Sequence, residues 1–138
     1  MKKHLLALMV LVPGLAMFTG CSTDHGAYAP KNTMVNNLED SASFVLFDKG
    51  TEHSVTCDGL EPQRLPDGRL QVAANVRNRE NRRIQVQINC EFKDAQGFPL
   101  DSTPFQNLFL DENAQQGVSF ASMNDKAMRY TIRVREAR

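Results

Sequence analysis

The chain has 138 residues, 16 basic and 16 acidic, so its formal net charge is zero at pH 7. That balance excludes the strongly basic domain expected of a nucleic-acid binder. With 41% hydrophobic and 23% charged residues it also excludes a fibrous or disordered chain, and the length suits one domain with a modest core.

The first element is an export signal. Met1-Lys2-Lys3-His4 is a basic start, Leu5 to Phe18 is an apolar run, and Thr19-Gly20-Cys21 forms a small-residue cleavage site. The run is 14 residues long and contains Pro13-Gly14, short of the ~20 residues that a membrane-spanning helix needs. A cut between Gly20 and Cys21 resembles the lipobox of bacterial lipoproteins, with Phe18 where Leu is usual. The resemblance implies a diacylglycerol on the Cys21 sulfur, an acylated amino terminus, and a domain held to a membrane by lipid. A plain secretory signal with a coincidental Cys21 is the rival reading. In enterobacterial lipoproteins, Asp after the lipidated Cys retains the protein in the inner membrane. Ser22 therefore implies the outer membrane of a Gram-negative cell, on its periplasmic face. Losing residues 1–20 removes Lys2 and Lys3 and no acid, leaving 14 basic against 16 acidic residues and a net charge of −2.

Residues 21–42 read as the lipidated terminus and a flexible tether, because Ser22 to Ser41 is small and polar with no sustained period. About 20 such residues reach ~65–70 Å when extended. The alternative is that Met34-Val35 lies against the domain as an edge strand.

Residues 43–138 read as one all-β domain. Ser43 to Phe47 is a short apolar run, and His53 to Cys57 alternates. Pro66-Asp67-Gly68 marks a hairpin turn. Leu70, Val72, Ala74 and Val76 alternate with polar or small residues, as do Ile84, Val86, Ile88, Cys90 and Phe92. A period of two means strands with one face buried and one wet. The short turn Asn78 to Arg82 predicts that these two form a long antiparallel hairpin. Pro99 and Pro104 bracket an expected surface loop; Phe105 to Leu110 and Gln116 to Ala121 are further strands. Met128, Tyr130, Ile132 and Val134 alternate in the closing strand, and no helix is predicted beyond one turn at Asn124 to Ala127. Six to eight short strands at regular spacing imply a two-layer antiparallel β-sandwich.

Cys57 and Cys90 fall on the apolar phase of their strands. Export to an oxidising compartment favours a disulfide between them, worth roughly 3–4 kcal/mol in the chain-entropy model. Two buried free thiols are the alternative, and spacing leaves both open. No Cys-x-x-Cys is present, so a redox role is not indicated.

Leu70 to Arg135 resembles the YcfL-like family of predicted periplasmic lipoproteins. The features that match are Val76-Arg-Asn78, Cys90-Glu-Phe-Lys-Asp94, the turn Asp94-Ala-Gln-Gly97 and the closing Tyr130-Thr-Ile-Arg-Val134. The family favours a Trp after the strand-turn unit; here Phe92 and Phe105 stand in. The resemblance implies an Ig-like sandwich on a lipid anchor, with no catalytic residues to carry over.

Chemistry is sparse. Past the leader only His25, in the tether, and His53 remain, so a blue-copper set of two His, a Cys and an axial Met is not available in the domain. The acid pairs Glu39-Asp40 and Asp111-Glu112 lack the spacing of a calcium loop. No metal and no cofactor beyond the covalent lipid on Cys21 is expected. Arg129, Arg133 and Arg135 share the wet phase of the last strand. They form either a basic face for an acidic envelope protein or peptidoglycan carboxylates, or charged protection of an edge strand. The sequence thus predicts a non-catalytic module that binds or scaffolds a cell-envelope component. A periplasmic metal-binding protein or small enzyme is the alternative.

Overall fold

The computed structural model describes residues 42–137. The expected leader, Cys21 as the expected lipidation site, His25 and the expected tether up to Ser41 lie outside the described residues. Within them the order is β1 (Phe44–Leu46), α1 (Lys49–Ser54), β2 (Val55–Arg64), β3 (Leu70–Asn78), β4 (Ile84–Lys93), β5 (Pro99–Ser102), β6 (Gln106–Leu110), β7 (Gln115–Ala121) and β8 (Arg129–Glu136).

Two sheets face each other. One has five strands, with β1, β8 and β4 in order and β5 and β6 sharing the far side of β4; the other runs β2, β3, β7. All pairs are antiparallel except β1 with β8, which is parallel and places Phe44 opposite Ile132 and Leu46 opposite Val134. The inward phase supplies the core. Val72 and Val76 of β3 are fully buried, as are Ile88, Cys90 and Phe92 of β4 and Ile132 and Val134 of β8. The all-β sandwich drawn from period-two alternation is therefore the observed fold.

The expected β3–β4 hairpin is not formed. β3 pairs with β2 and β7 in the three-stranded sheet, while β4 pairs with β8, β5 and β6 in the other. Two strands with strongly apolar faces bury both by facing each other across a core; side by side they would still need a covering layer. The crossing is held by Asn78, which is fully buried. Its Nδ2 donates to the carbonyls of Arg82, Leu110 and Asp111 at 2.7, 3.2 and 2.8 Å, and its Oδ1 accepts from the Glu80 amide at 2.8 Å.

Two local expectations also change. His53 and Ser54 end a helix, and β2 begins only at Val55. Asp48 starts that helix: its Oδ1 accepts from the Thr51 amide at 2.8 Å and from Thr51 Oγ1 at 3.0 Å, an N-cap that overrides the short alternation. The stretch between Pro99 and Pro104 is not all loop, since Pro99–Ser102 forms β5 against Glu91–Lys93. Pro99 is the first residue of that short strand, where a missing N–H costs little. The turns at Gly68 and Gly97 need φ of +85° and +95°, which only glycine adopts without strain.

Candidate functional site

The outward phase of the five-stranded sheet carries the most organised group of polar and aromatic side chains. Strand register sets it up. Gln87 on β4 lies between Arg135 on β8 and Asn107 on β6. Arg135 Nε donates to Gln87 Oε1 at 2.9 Å, and Gln87 Nε2 donates to Asn107 Oδ1 at 3.2 Å. Two residues along, Asn89 opposes Arg133 without β6 beside it. Arg133 Nε donates to Asn89 Oδ1 at 3.0 Å and Nη1 to Glu91 Oε2 at 2.6 Å.

Phenylalanines interleave with these cations. The Arg135 guanidinium carbon is 3.8 Å from the Phe105 ring centroid, and that of Arg133 is 5.9 Å from both Phe105 and Phe47. Arg83 lies 5.2 Å from the ring of Phe109. Such contacts are worth about 0.5–1 kcal/mol each at exposed sites. Their larger effect is to hold the guanidinium groups in place. Phe109 and Phe47 remain 49% and 41% exposed, so the face presents apolar rings beside fixed cations.

The three arginines singled out from the sequence do not meet in one patch. Arg133 and Arg135 join around Phe105. Arg129 opposes Lys93, four residues from Arg133, a separation of ~13 Å along the strand. It sits by the Gly97 turn, where an added Cβ would come to 3.4 Å from Arg129 Nη1. The charge of Arg133 is balanced by Glu91, leaving Arg135 as the cation whose side chain bonds only to a neutral amide among the described residues.

The outward phase is not uniformly wet. Asn89, Lys93 and Thr131 are exposed by only 3, 3 and 2%. Asn89 Nδ2 donates to the Thr103 carbonyl at 3.1 Å, and Thr131 Oγ1 donates to the Ala42 carbonyl at 3.1 Å, so backbone flanking β4 and β8 satisfies both side chains. Lys93 Nζ donates to Thr131 Oγ1 at 3.1 Å and lies 3.7 Å from Glu91 Oε1. Alternation alone places these residues in water, but they are almost fully buried.

Both described cysteines are free. Cys57 is on β2 and Cys90 on β4, in opposite sheets, but the bridge left open by the sequence is not formed. Cys57 is half-buried, its Sγ donates to the Gly59 carbonyl at 3.3 Å, and burial pushes its thiol pKa up. Cys90 is fully enclosed and burial pushes its thiol up to about 12. Thiols held protonated in this way are poor nucleophiles. His53 is exposed in the last turn of α1. Among the described residues, no group of three or more His, Cys, Asp or Glu side chains converges.

Sequence reading missed Phe47, Phe105 and Phe109 as parts of this face. A signal existed: Phe105, Asn107 and Phe109 alternate with Gln106, Leu108 and Leu110, and the buried Leu108 and Leu110 put both rings on the outer phase.

Fold and site define a small two-sheet β-sandwich domain with one aromatic and arginine-bearing face. The chain belongs to the DUF1425 family, described as a protein of unknown function, whose model matches residues 43–136. A DUF1425 family member from Shewanella sp. pv-4 has a similar crystal structure, with a TM-score of 0.57 at 24% identity over 67% of this chain and 87% of that one. The crystal structure of Campylobacter jejuni cj0090 is similar with a TM-score of 0.55 at 13% identity, covering 69% of this chain and 98% of that one. At these identities the likeness is one of fold. No curated protein matches the chain.

Proposed function

We propose that this chain is a YcfL-like lipoprotein within its family. It is anchored through lipid on Cys21 to the periplasmic face of the outer membrane, and its sandwich is a non-catalytic module that binds a carboxylate-bearing envelope component. The address rests on the leader pattern ending at Cys21 and on Ser22 after it. The binding reading rests on one observation: Arg135 is stacked on Phe105 and tied to Gln87, so a guanidinium is pre-positioned beside exposed rings. A planar guanidinium with remaining donors suits a carboxylate, and pre-positioning reduces the ordering cost of contact. The partner is an acidic protein face or peptidoglycan.

The test has two arms. Mass spectrometry of the native protein should find an acylated Cys21, and fractionation should place it with the outer membrane. Cross-linking in intact cells should capture an envelope partner with the wild-type chain and lose it with Arg135→Glu or Phe105→Ala, while Arg69→Glu, in the turn after β2, keeps it. An unmodified, freely soluble protein would overturn the anchor. An unchanged captured set would overturn the face.

A further inference from the structure

Among the described residues the sandwich is open along one side. β1 is the outer strand of its sheet and β2 the outer strand of the other. β1 has only three residues, too few to close the seam beside the ten of β2. The gap is a shallow, open groove of about 470 Å³ whose lining includes the buried Val55. Its walls are the inward side chains Phe44, Leu46, Val55, Cys57 and Leu60. All but Val55 are only partly buried, so apolar surface is left uncovered along the cleft.

One charge lining the cleft is left unbalanced among the described residues. Asp58 lines it but is held by Arg77, whose Nε lies 2.8 Å from Asp58 Oδ2. Arg79 also lines it, and its guanidinium makes no ion pair, side-chain hydrogen bond or ring contact among the described residues. Its backbone is fixed by a 2.8 Å bond from the Arg79 amide to the Ser54 carbonyl. An apolar trough beside an unmatched guanidinium is complementary to a hydrocarbon chain ending in a carboxylate. The trough removes methylenes from water, and the guanidinium fork matches a carboxylate in two parallel bonds. Cys57 fits the same role: its thiol is protonated and behaves as a small apolar group.

We propose that the cleft between β1 and β2 binds a single-chain fatty-acid carboxylate, with the alkyl chain against Phe44, Leu46 and Leu60 and the headgroup on Arg79. This site is separate from the arginine and phenylalanine face, so its failure would leave that reading standing.

Dodecanoate, below its micelle concentration, is the probe. It should displace a fluorescent fatty acid from the full chain carrying Cys21→Ser, which blocks lipidation. Arg79→Glu should weaken dodecanoate about ten-fold or more, while dodecanol, which lacks the charge, changes less than about two-fold. Leu60→Trp should fill the trough and weaken both. If that variant does not fold, protection serves instead: saturating dodecanoate should slow maleimide labelling of Cys57 in the otherwise unaltered chain. No displacement by dodecanoate, an unchanged affinity in Arg79→Glu, or tighter binding of a lysophospholipid than of dodecanoate would each overturn the assignment.

Discussion

Arg133 and Glu91 sit diagonally across the β8–β4 ladder, with Nη1 2.6 Å from Oε2 and both side chains less than one-fifth exposed. The same carboxylate lies 3.7 Å from Lys93 Nζ, so one acid serves two largely enclosed cations. A basic stripe on an edge would be solvated and weakly held. Here Arg133 is a structural residue, and Arg135 is tied to a neutral amide rather than to a carboxylate among the described residues.

Replacing Arg133 with Ala should destabilise the fold by about 1–3 kcal/mol, because it strands part of the Glu91 carboxylate with its hydrogen bonds unmade. Arg133→Ala and Glu91→Gln should be non-additive by about 1 kcal/mol in a double-mutant cycle read by urea unfolding. A coupling near zero would make the pair incidental.

Cap removal is the next case. Asp48 Oδ1 caps α1 at Thr51, and its Oδ2 accepts from the Glu136 amide at 2.7 Å, joining the helix to the end of β8. Asp48→Ala should cost about 1–2 kcal/mol. Asp48→Asn, which keeps one acceptor oxygen, should cost less. Equal losses would show that the charge, not the cap, is what matters.

Asn78 should be among the most sensitive positions. Substitution by Leu keeps the volume but removes the Nδ2 donations to the Arg82, Leu110 and Asp111 carbonyls. An expected loss of about 2–3 kcal/mol follows from acceptors left without their donor. Chemical denaturation measures it, and a loss below about 0.5 kcal/mol would mean that water replaces the amide freely.

The thiols predict alkaline behaviour. Burial raises Cys90 from an unfolded value of 9.0 to about 12, so the folded state holds its proton more tightly. The contribution to stability is complete below about pH 9 and is lost as pH rises from there toward 12. Cys57 and Tyr130 are raised in the same direction by burial. Thermal melts from pH 8 to pH 11 should therefore fall for the wild type, and Cys90→Val should reduce that slope without removing it. In native protein near neutral pH, maleimide should label Cys57 slowly and Cys90 only after unfolding. Rapid native labelling of Cys90 would contradict its enclosure.

Much of the fold was legible because it is local. Alternation at Leu70 to Val76, Ile84 to Phe92 and Tyr130 to Val134 names the buried face of each strand before any pairing is known. The glycine turns at Gly68 and Gly97 were legible for the same reason. The helix at Lys49–Ser54 was obscured because one capping side chain, Asp48, outweighed a brief alternating pattern. The site was half legible: phase puts Arg133, Arg135, Phe105 and Phe109 on the outer side, but phase does not say which of them touch.

By itself, then, the sequence determined the class of fold and most of the inward residues, Met128 at 59% exposure being an exception, since each follows from residue type and spacing within a short window. The tertiary structure alone decided that β3 and β4 part into opposite sheets, that Phe105 comes to rest under Arg135, that Lys93 is enclosed, and that a cleft stays open between β1 and β2. Period two states which way a side chain points, not which strand lies beside it. That second choice depends on how several apolar faces, far apart in the chain, are covered at once.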